Sequence, residues 1–185
     1  MTYIFVAFKE EAKPLLQLWQ FKRDKNAPCK LYVSDDIYLV ITQMGQENAS
    51  NALVALLEYL PPKENDCFIN FGICAAPKNH AIGDVLECSH IYYKKESIEL
   101  CSHPICKLMT VDTPASSKHN TAIDMEAFAL FKTAIDKFKT CHCIKIVSDH
   151  FEPLHVNKKT VATLLNSGVA TIKELVNENS YSNRN

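Results

Sequence analysis

Three groups of acidic residues in this chain lie where chemistry would be done. Ile123-Asp124-Met125-Glu126-Ala127-Phe128-Ala129 reads as the opening of a helix, and further along Lys145-Ile146-Val147-Ser148-Asp149 reads as the end of a buried strand. Glu10-Glu11 follows the first strand pattern, Tyr3-Ile4-Phe5-Val6-Ala7. Carboxylates at the ends of buried strands are costly to desolvate unless they are paired or reactive. Three such groups predict acid/base chemistry on a small polar ligand.

Each carboxylate also has a plainer use. Asp149 would cap the turn that follows it, and Asp124 would serve as the N-cap of the helix that follows. A glutamate in the first turn of a helix favours the helix dipole, which suits both Glu10 and Glu11. Periodicity over two residues does not decide which of the pair points inward.

The elements that must carry these residues alternate between strands and helices. The first strand, residues 2–8, is almost entirely apolar, as in a strand covered on both faces. A helix is predicted over 10–21, with Leu15, Leu16, Leu18 and Trp19 on its apolar side, and a polar loop over 22–28. A hairpin follows: Cys29 to Val33, a turn at Ser34-Asp35-Asp36, then Ile37 to Thr42. The spacing predicts a helix over 48–60, stopped by Pro61-Pro62, and a buried strand from Cys67 that ends at Gly72. A strand region is expected to start at Ile82–Leu86 and continue through Ile91-Tyr92-Tyr93, with a short strand over 107–111. A helix is expected over 124–139, a strand from Cys143 to Ser148 and a last helix over 157–176, with a polar tail over 177–185. There is no repeat and no linker. This pattern predicts one α/β domain over residues 1–185, a three-layer αβα sandwich around a central mixed sheet.

Bulk composition narrows the partners. The chain has 185 residues, enough for one domain with its own core, and its net charge of −1 gives no argument for nucleic acid or an anionic membrane. No apolar run approaches the roughly 20 residues of a membrane span. Met1-Thr2-Tyr3 leads straight into a strand pattern, so the expectation is a cytoplasmic protein whose eight cysteines are mostly buried free thiols. Cys101-Ser102-His103-Pro104-Ile105-Cys106 and Cys141-His142-Cys143 lack the paired Cys-x2-Cys spacing of structural zinc, and no metal is expected.

Six segments, in this order, resemble the purine nucleoside phosphorylase and nucleosidase superfamily, most closely its methylthioadenosine/S-adenosylhomocysteine nucleosidase branch. They are Ala7-Phe8-Lys9-Glu10-Glu11, Met44-Gly45-Gln46-Glu47-Asn48-Ala49, Ile69-Asn70-Phe71-Gly72 with Ile82-Gly83-Asp84-Val85, Asp124-Met125-Glu126-Ala127, and Val147-Ser148-Asp149. The resemblance implies cleavage of an N-glycosidic bond, with Asp149 as the acid near purine N7 and Ser148 orienting it. It implies that Glu126 accepts hydrogen bonds from the ribose hydroxyls, that Met125 packs on the sugar, and that Glu11 activates the attacking water. Gly72, Ile73 and Phe128 complete the substrate-binding set it implies. It further implies a nucleoside as the small-molecule partner, no cofactor, and a homodimer. Relatives carry a glycine-rich turn after the Asn70-Phe71-Gly72 strand, where this chain reads Ile73-Cys74-Ala75-Ala76-Pro77. They are also longer, the shortfall falling around residues 94–113.

Within that superfamily water or phosphate can attack the sugar. Phosphate needs a cradle of backbone amides with cationic clamps. The loop after the first strand holds a glutamate pair and no glycine, and the chain's two arginines, Arg23 and Arg184, lie in none of these motifs. The residues therefore favour hydrolysis. The alternatives are a phosphorylase, for which Lys9 could supply a point charge, and a nucleoside-binding protein without catalysis.

Overall fold

The first strand sets the frame. β1 (Thr2–Val6) is buried at every position, and its apolar side chains alternate between two cores on opposite faces of one sheet. The computed structural model describes residues 1–100 and 106–182. After β1 come α1 (Lys9–Leu18), β2 (Lys22–Asp24), β3 (Lys30–Ser34), β4 (Ile37–Ile41) and α2 (Gln46–Tyr59). The long β5 (Cys67–Ala75) is followed by β6 (Val85–Glu87), β7 (His90–Tyr93), β8 (Glu96–Glu99), β9 (Lys107–Thr110) and β10 (Ala122–Asp124). The chain closes with α3 (Ala127–Ala134), β11 (Thr140–Asp149), α4 (Lys158–Leu164) and α5 (Val169–Ser182).

The strands form one mixed sheet. β1 runs parallel to β4 on one side and to β5 on the other, and β11 runs parallel to β5 along almost its whole length. Beyond Cys74 the edge of β5 passes to β10, which pairs antiparallel at Ala75 and leads through β9 and β7 to β8. Helices cover both faces. Ala49, Leu53 and Leu56 of α2 pack with Phe128 and Phe131 of α3 on one core. Ala12 and Leu15 of α1 pack with Val161 of α4 and Ile172 of α5 on the other. This is the expected three-layer αβα arrangement. Each fully buried Leu or Phe contributes about 1.5–3 kcal/mol of hydrophobic stabilisation, so these two faces hold the strand ends in place.

Several elements differ from the sequence reading. The polar stretch expected as a loop over 22–28 contains β2, an exposed strand at the sheet edge, where charged side chains are the normal composition. β5 does not end at Gly72 but runs on to Ala75. Asp124 belongs to strand β10 rather than to a helix, and α3 begins only at Ala127 and stops at Ala134. β8 was not anticipated. The single last helix is two, joined by a 3₁₀ turn over Leu165–Gly168. At Gly168 the backbone lies so close to the sheet that a Cβ would sit 2.7 Å from Phe71 and Ile146.

The seven described cysteines are free thiols, and Cys141 and Cys143 pack on the same core face while His142 lies near Glu87. Among the described residues no cluster of ligand-type side chains is placed to hold a metal. Residues 101–105 of the Cys101–Cys106 segment lie outside the described residues. No described helix is long and apolar enough to cross a membrane.

Candidate active site

β1, β5 and β11 are parallel, and their carboxyl ends open together onto a cavity of about 370 Å³. This is the usual place for a ligand in an open α/β sheet. Glu11, Glu126, Asp124, Ser148 and Asp149 line it, with Met125 and Ile73, among mainly apolar neighbours. The residues picked from the sequence therefore converge, with two exceptions. Gly72 and Phe128 are not on the cavity wall. Phe128 is buried in the core, its ring 5.5 Å from Tyr93, and its N–H donates to Thr110 Oγ1.

Glu11 is the inward member of its pair and is 2% exposed, whereas Glu10 is half-exposed at the cavity rim. Its carboxylate sits in a cradle of three backbone amides. Oε2 accepts from Ala7 N–H at 2.7 Å and Phe8 N–H at 3.0 Å, and Oε1 accepts from Ile73 N–H at 3.0 Å. The Phe8 contact also closes the first turn of α1, where the N-cap side chain supplies no acceptor. Gly72 is what admits the carboxylate: a Cβ there would lie 2.9 Å from Glu11 Oε1. Burial raises the Glu11 carboxyl above its ordinary range, against the lowering effect of the three amides and of Lys145.

Glu126 is the N-cap residue of α3. Its Oε1 accepts from Gly45 N–H at 2.8 Å, which ties the β4–α2 turn to the β10–α3 turn. No protein donor reaches its Oε2 among the described residues. Burial first, and the neighbouring Asp124 carboxylate second, push Glu126 up to about 7.

Asp124 is not the N-cap residue expected of it, a position Glu126 holds, but from the preceding strand its carboxylate still accepts from the first N–H groups of α3. Its Oδ2 accepts from Ala127 N–H at 2.9 Å and from Glu126 N–H at 3.4 Å, and Oδ1 accepts from the Thr110 hydroxyl at 2.7 Å. The same Oδ2 lies 2.8 Å from Lys145 Nζ.

A bulge aims Asp149. β11 keeps register with β5 as far as Val147 opposite Cys74, and then Asp149 stands opposite Ala75, so Ser148 is the extra residue. The Ser148 hydroxyl lies 2.7 Å from Asp149 Oδ2 and 3.1 Å from the Cys74 carbonyl. Its one proton can go to either of these acceptors. Asp149 Oδ1 accepts from Glu152 N–H at 2.8 Å. The loop beyond is pinned: His150 Nδ1 lies 2.9 Å from the Ala76 carbonyl, and Phe151 is buried at φ 68°, a left-handed conformation uncommon for a non-glycine residue.

Sequence reasoning missed the Gly45 amide, Thr110, Lys145 and the loop residues Val111, Pro114 and Ala115 that close one side of the cavity. Only Lys145 carried a visible signal, as a charge inside the apolar run Cys143–Val147.

No protein-family model and no curated protein matches the chain. Solved structures do. An Asp-to-Asn variant of Helicobacter pylori MTAN with 5′-methylthioadenosine in the active site matches at a TM-score of 0.80 and 13% identity, over 96% of this chain and 98% of that one. The chain has the fold of this nucleosidase structure. Futalosine hydrolase of Helicobacter pylori matches at a TM-score of 0.79 and 14% identity, over 96% and 97% of the two chains. Apo 5′-methylthioadenosine nucleosidase of Arabidopsis thaliana matches at 0.76 and 20% identity, over 96% and 95%. Despite the expected shortfall, this chain spans nearly the full length of these nucleosidases and shares their architecture.

Proposed function

We propose that this nucleosidase-fold protein hydrolyses the N-glycosidic bond of a purine nucleoside or a 5′-modified adenosine, of the methylthioadenosine, S-adenosylhomocysteine or futalosine type. Asp149 is the acid that protonates the departing purine at N7, with Ser148 holding its carboxyl. Glu126 presents its unengaged Oε2 to the ribose hydroxyls, an interaction that strengthens as the ring becomes oxocarbenium-like. Met125 and Ile73 give apolar contact to the sugar. Glu11 takes a proton from the attacking water: its three amide contacts leave one of roughly four lone-pair positions for that water. No cofactor takes part.

One observation carries hydrolysis over phosphorolysis. The amide cradle at the ends of β1 and β5 would suit an anion, and it already holds one, the Glu11 carboxylate. No lysine or arginine lines the cavity among the described residues, and Lys9 is exposed outside it. A phosphate dianion would meet five acidic side chains with no cation on the wall.

The same reading includes a cytoplasmic homodimer. Phe8 and Met44, both on the cavity wall, are 37% and 45% exposed, which suits cover by a second subunit. Light scattering during size-exclusion chromatography checks the dimer.

The test of function is release of free base from adenosine, inosine, methylthioadenosine, S-adenosylhomocysteine and futalosine, with and without phosphate. Release without phosphate, abolished in Asp149→Asn and Glu11→Gln, is the expected result. A folded protein that binds nucleoside and releases no base would make it a binding protein instead.

A further inference from the structure

Lys145 is 1% exposed, on a strand whose neighbours Ile144 and Ile146 are wholly buried. A buried ammonium is costly, and replacing a buried ion pair with apolar residues is often neutral or stabilising, so the fold alone gives little reason for one here. Its position explains it better. Lys145 stands opposite Gly72 in the β5–β11 ladder, and Gly72 is the residue whose missing Cβ admits the Glu11 carboxylate. Its Nζ lies 2.8 Å from Asp124 Oδ2, the oxygen that also accepts from the backbone of Glu126 and Ala127.

We propose that Lys145 is a positioning residue for this site: a buried cation behind the cavity wall that, through Asp124, fixes the turn presenting Glu126 and offsets the negative charge of Glu11 and Glu126. It touches no ligand, since it does not line the cavity.

The groups around it come from every packed element. Asp124 and Glu126 face it from the β10–α3 turn, Glu11 from α1, the Cys74 thiol from β5 and the Cys143 thiol from its own strand. Glu10 and Asp149 share the cavity. Burial alone would lower the Lys145 ammonium, but the attraction of Asp124, with Glu126 adding to it, outweighs burial and keeps it protonated. Lys145 in turn lowers both Glu11 and Glu126, while Asp124 raises Glu126. Three carboxylates thus share one cation, and removing the cation or the nearest carboxylate must move Glu126 in opposite directions.

The experiment is a carbon-13 NMR titration of the Glu126 carboxyl in the wild type, Lys145→Met, Lys145→Arg and Asp124→Asn, each checked for folding by circular dichroism. The midpoint should rise in Lys145→Met, fall in Asp124→Asn and stay near the wild type in Lys145→Arg. The acid limb of kcat/KM should follow, with Lys145→Met losing about ten-fold in rate at acid pH for each unit of displacement. A purely structural pair would give shifts of one sign or none in the two variants, and that overturns the proposal. If Lys145→Met does not fold, Lys145→Gln takes its place: a raised midpoint supports the role and an unmoved one ends it. The kinetic arm rests on the nucleosidase reading, whereas the titration needs no turnover. Opposite shifts in a protein that releases no base would uphold Lys145 and reject only the reaction.

Discussion

Gly72 and Glu11 occupy one space: a Cβ on the glycine would lie 2.9 Å from Oε1 of the glutamate. The strand residue has no side chain so that a carboxylate from the neighbouring helix can reach the amides of Ala7, Phe8 and Ile73. Gly72→Ala should therefore act through Glu11. The carboxylate must leave at least its Ile73 contact, so kcat/KM should fall about ten-fold or more, at a stability cost of about 1–3 kcal/mol. Steady-state kinetics beside urea denaturation measures both, and an unchanged rate would separate Gly72 from the site.

Glu11→Gln keeps the shape of the side chain but turns one acceptor into a donor that faces backbone N–H groups. Loss of the base should reduce kcat by about a hundred-fold or more, within the usual range for general base catalysis. Nucleoside affinity, measured by calorimetry, should change far less.

Much of this frame was legible in the sequence. The apolar runs Tyr3–Ala7, Cys67–Phe71 and Cys143–Val147 became β1, β5 and β11, because strands covered on both faces read as continuous hydrophobic stretches. The positions of Glu11, Glu126 and Asp149 at the ends of such elements were legible for the same reason. What was not legible depends on distant partners. The bulge at Ser148 exists only in register with β5, and the choice of Glu11 over Glu10, which the resemblance made and periodicity did not, rests on the Ile73 amide, far away in sequence. Asp124 has the composition of an N-cap and its carboxylate does accept from the first N–H of α3, but pairing with β9 extends its backbone, which periodicity along one segment cannot reveal.

Glu126 should make stability depend on pH. Its folded value, about 7, lies above the ordinary 4.5, so folding favours the protonated form. That contribution is fully present below the unfolded value and is lost as the pH rises from about 4.5 to about 7. Gln at this position keeps an acceptor for Gly45 and never ionises. Glu126→Gln should therefore be more stable than the wild type at about pH 8, by an amount on the order of a few kcal/mol, and no more stable at about pH 4. Thermal melts across this range test it, and the gain should come with a loss of activity.

Ser148→Ala removes the hydroxyl that holds Asp149 Oδ2 and leaves the Glu152 amide on Oδ1. A hydrogen bond to a charged group contributes about 1.5–3 kcal/mol, so kcat should fall about ten-fold or more. Asp149→Asn should fall further, having no proton to give. A larger loss in Ser148→Ala than in Asp149→Asn would show that the acid has been assigned to the wrong residue.

The most direct measurement is the identity of the sugar product. The protein is incubated with its best nucleoside in heavy-oxygen water containing excess phosphate, and the products are read by mass spectrometry. If Glu11 is the anion of the amide cradle and water the nucleophile, the sugar emerges free, with heavy oxygen at its anomeric carbon and no dependence on phosphate. A sugar 1-phosphate carrying no heavy oxygen would contradict the account at its centre.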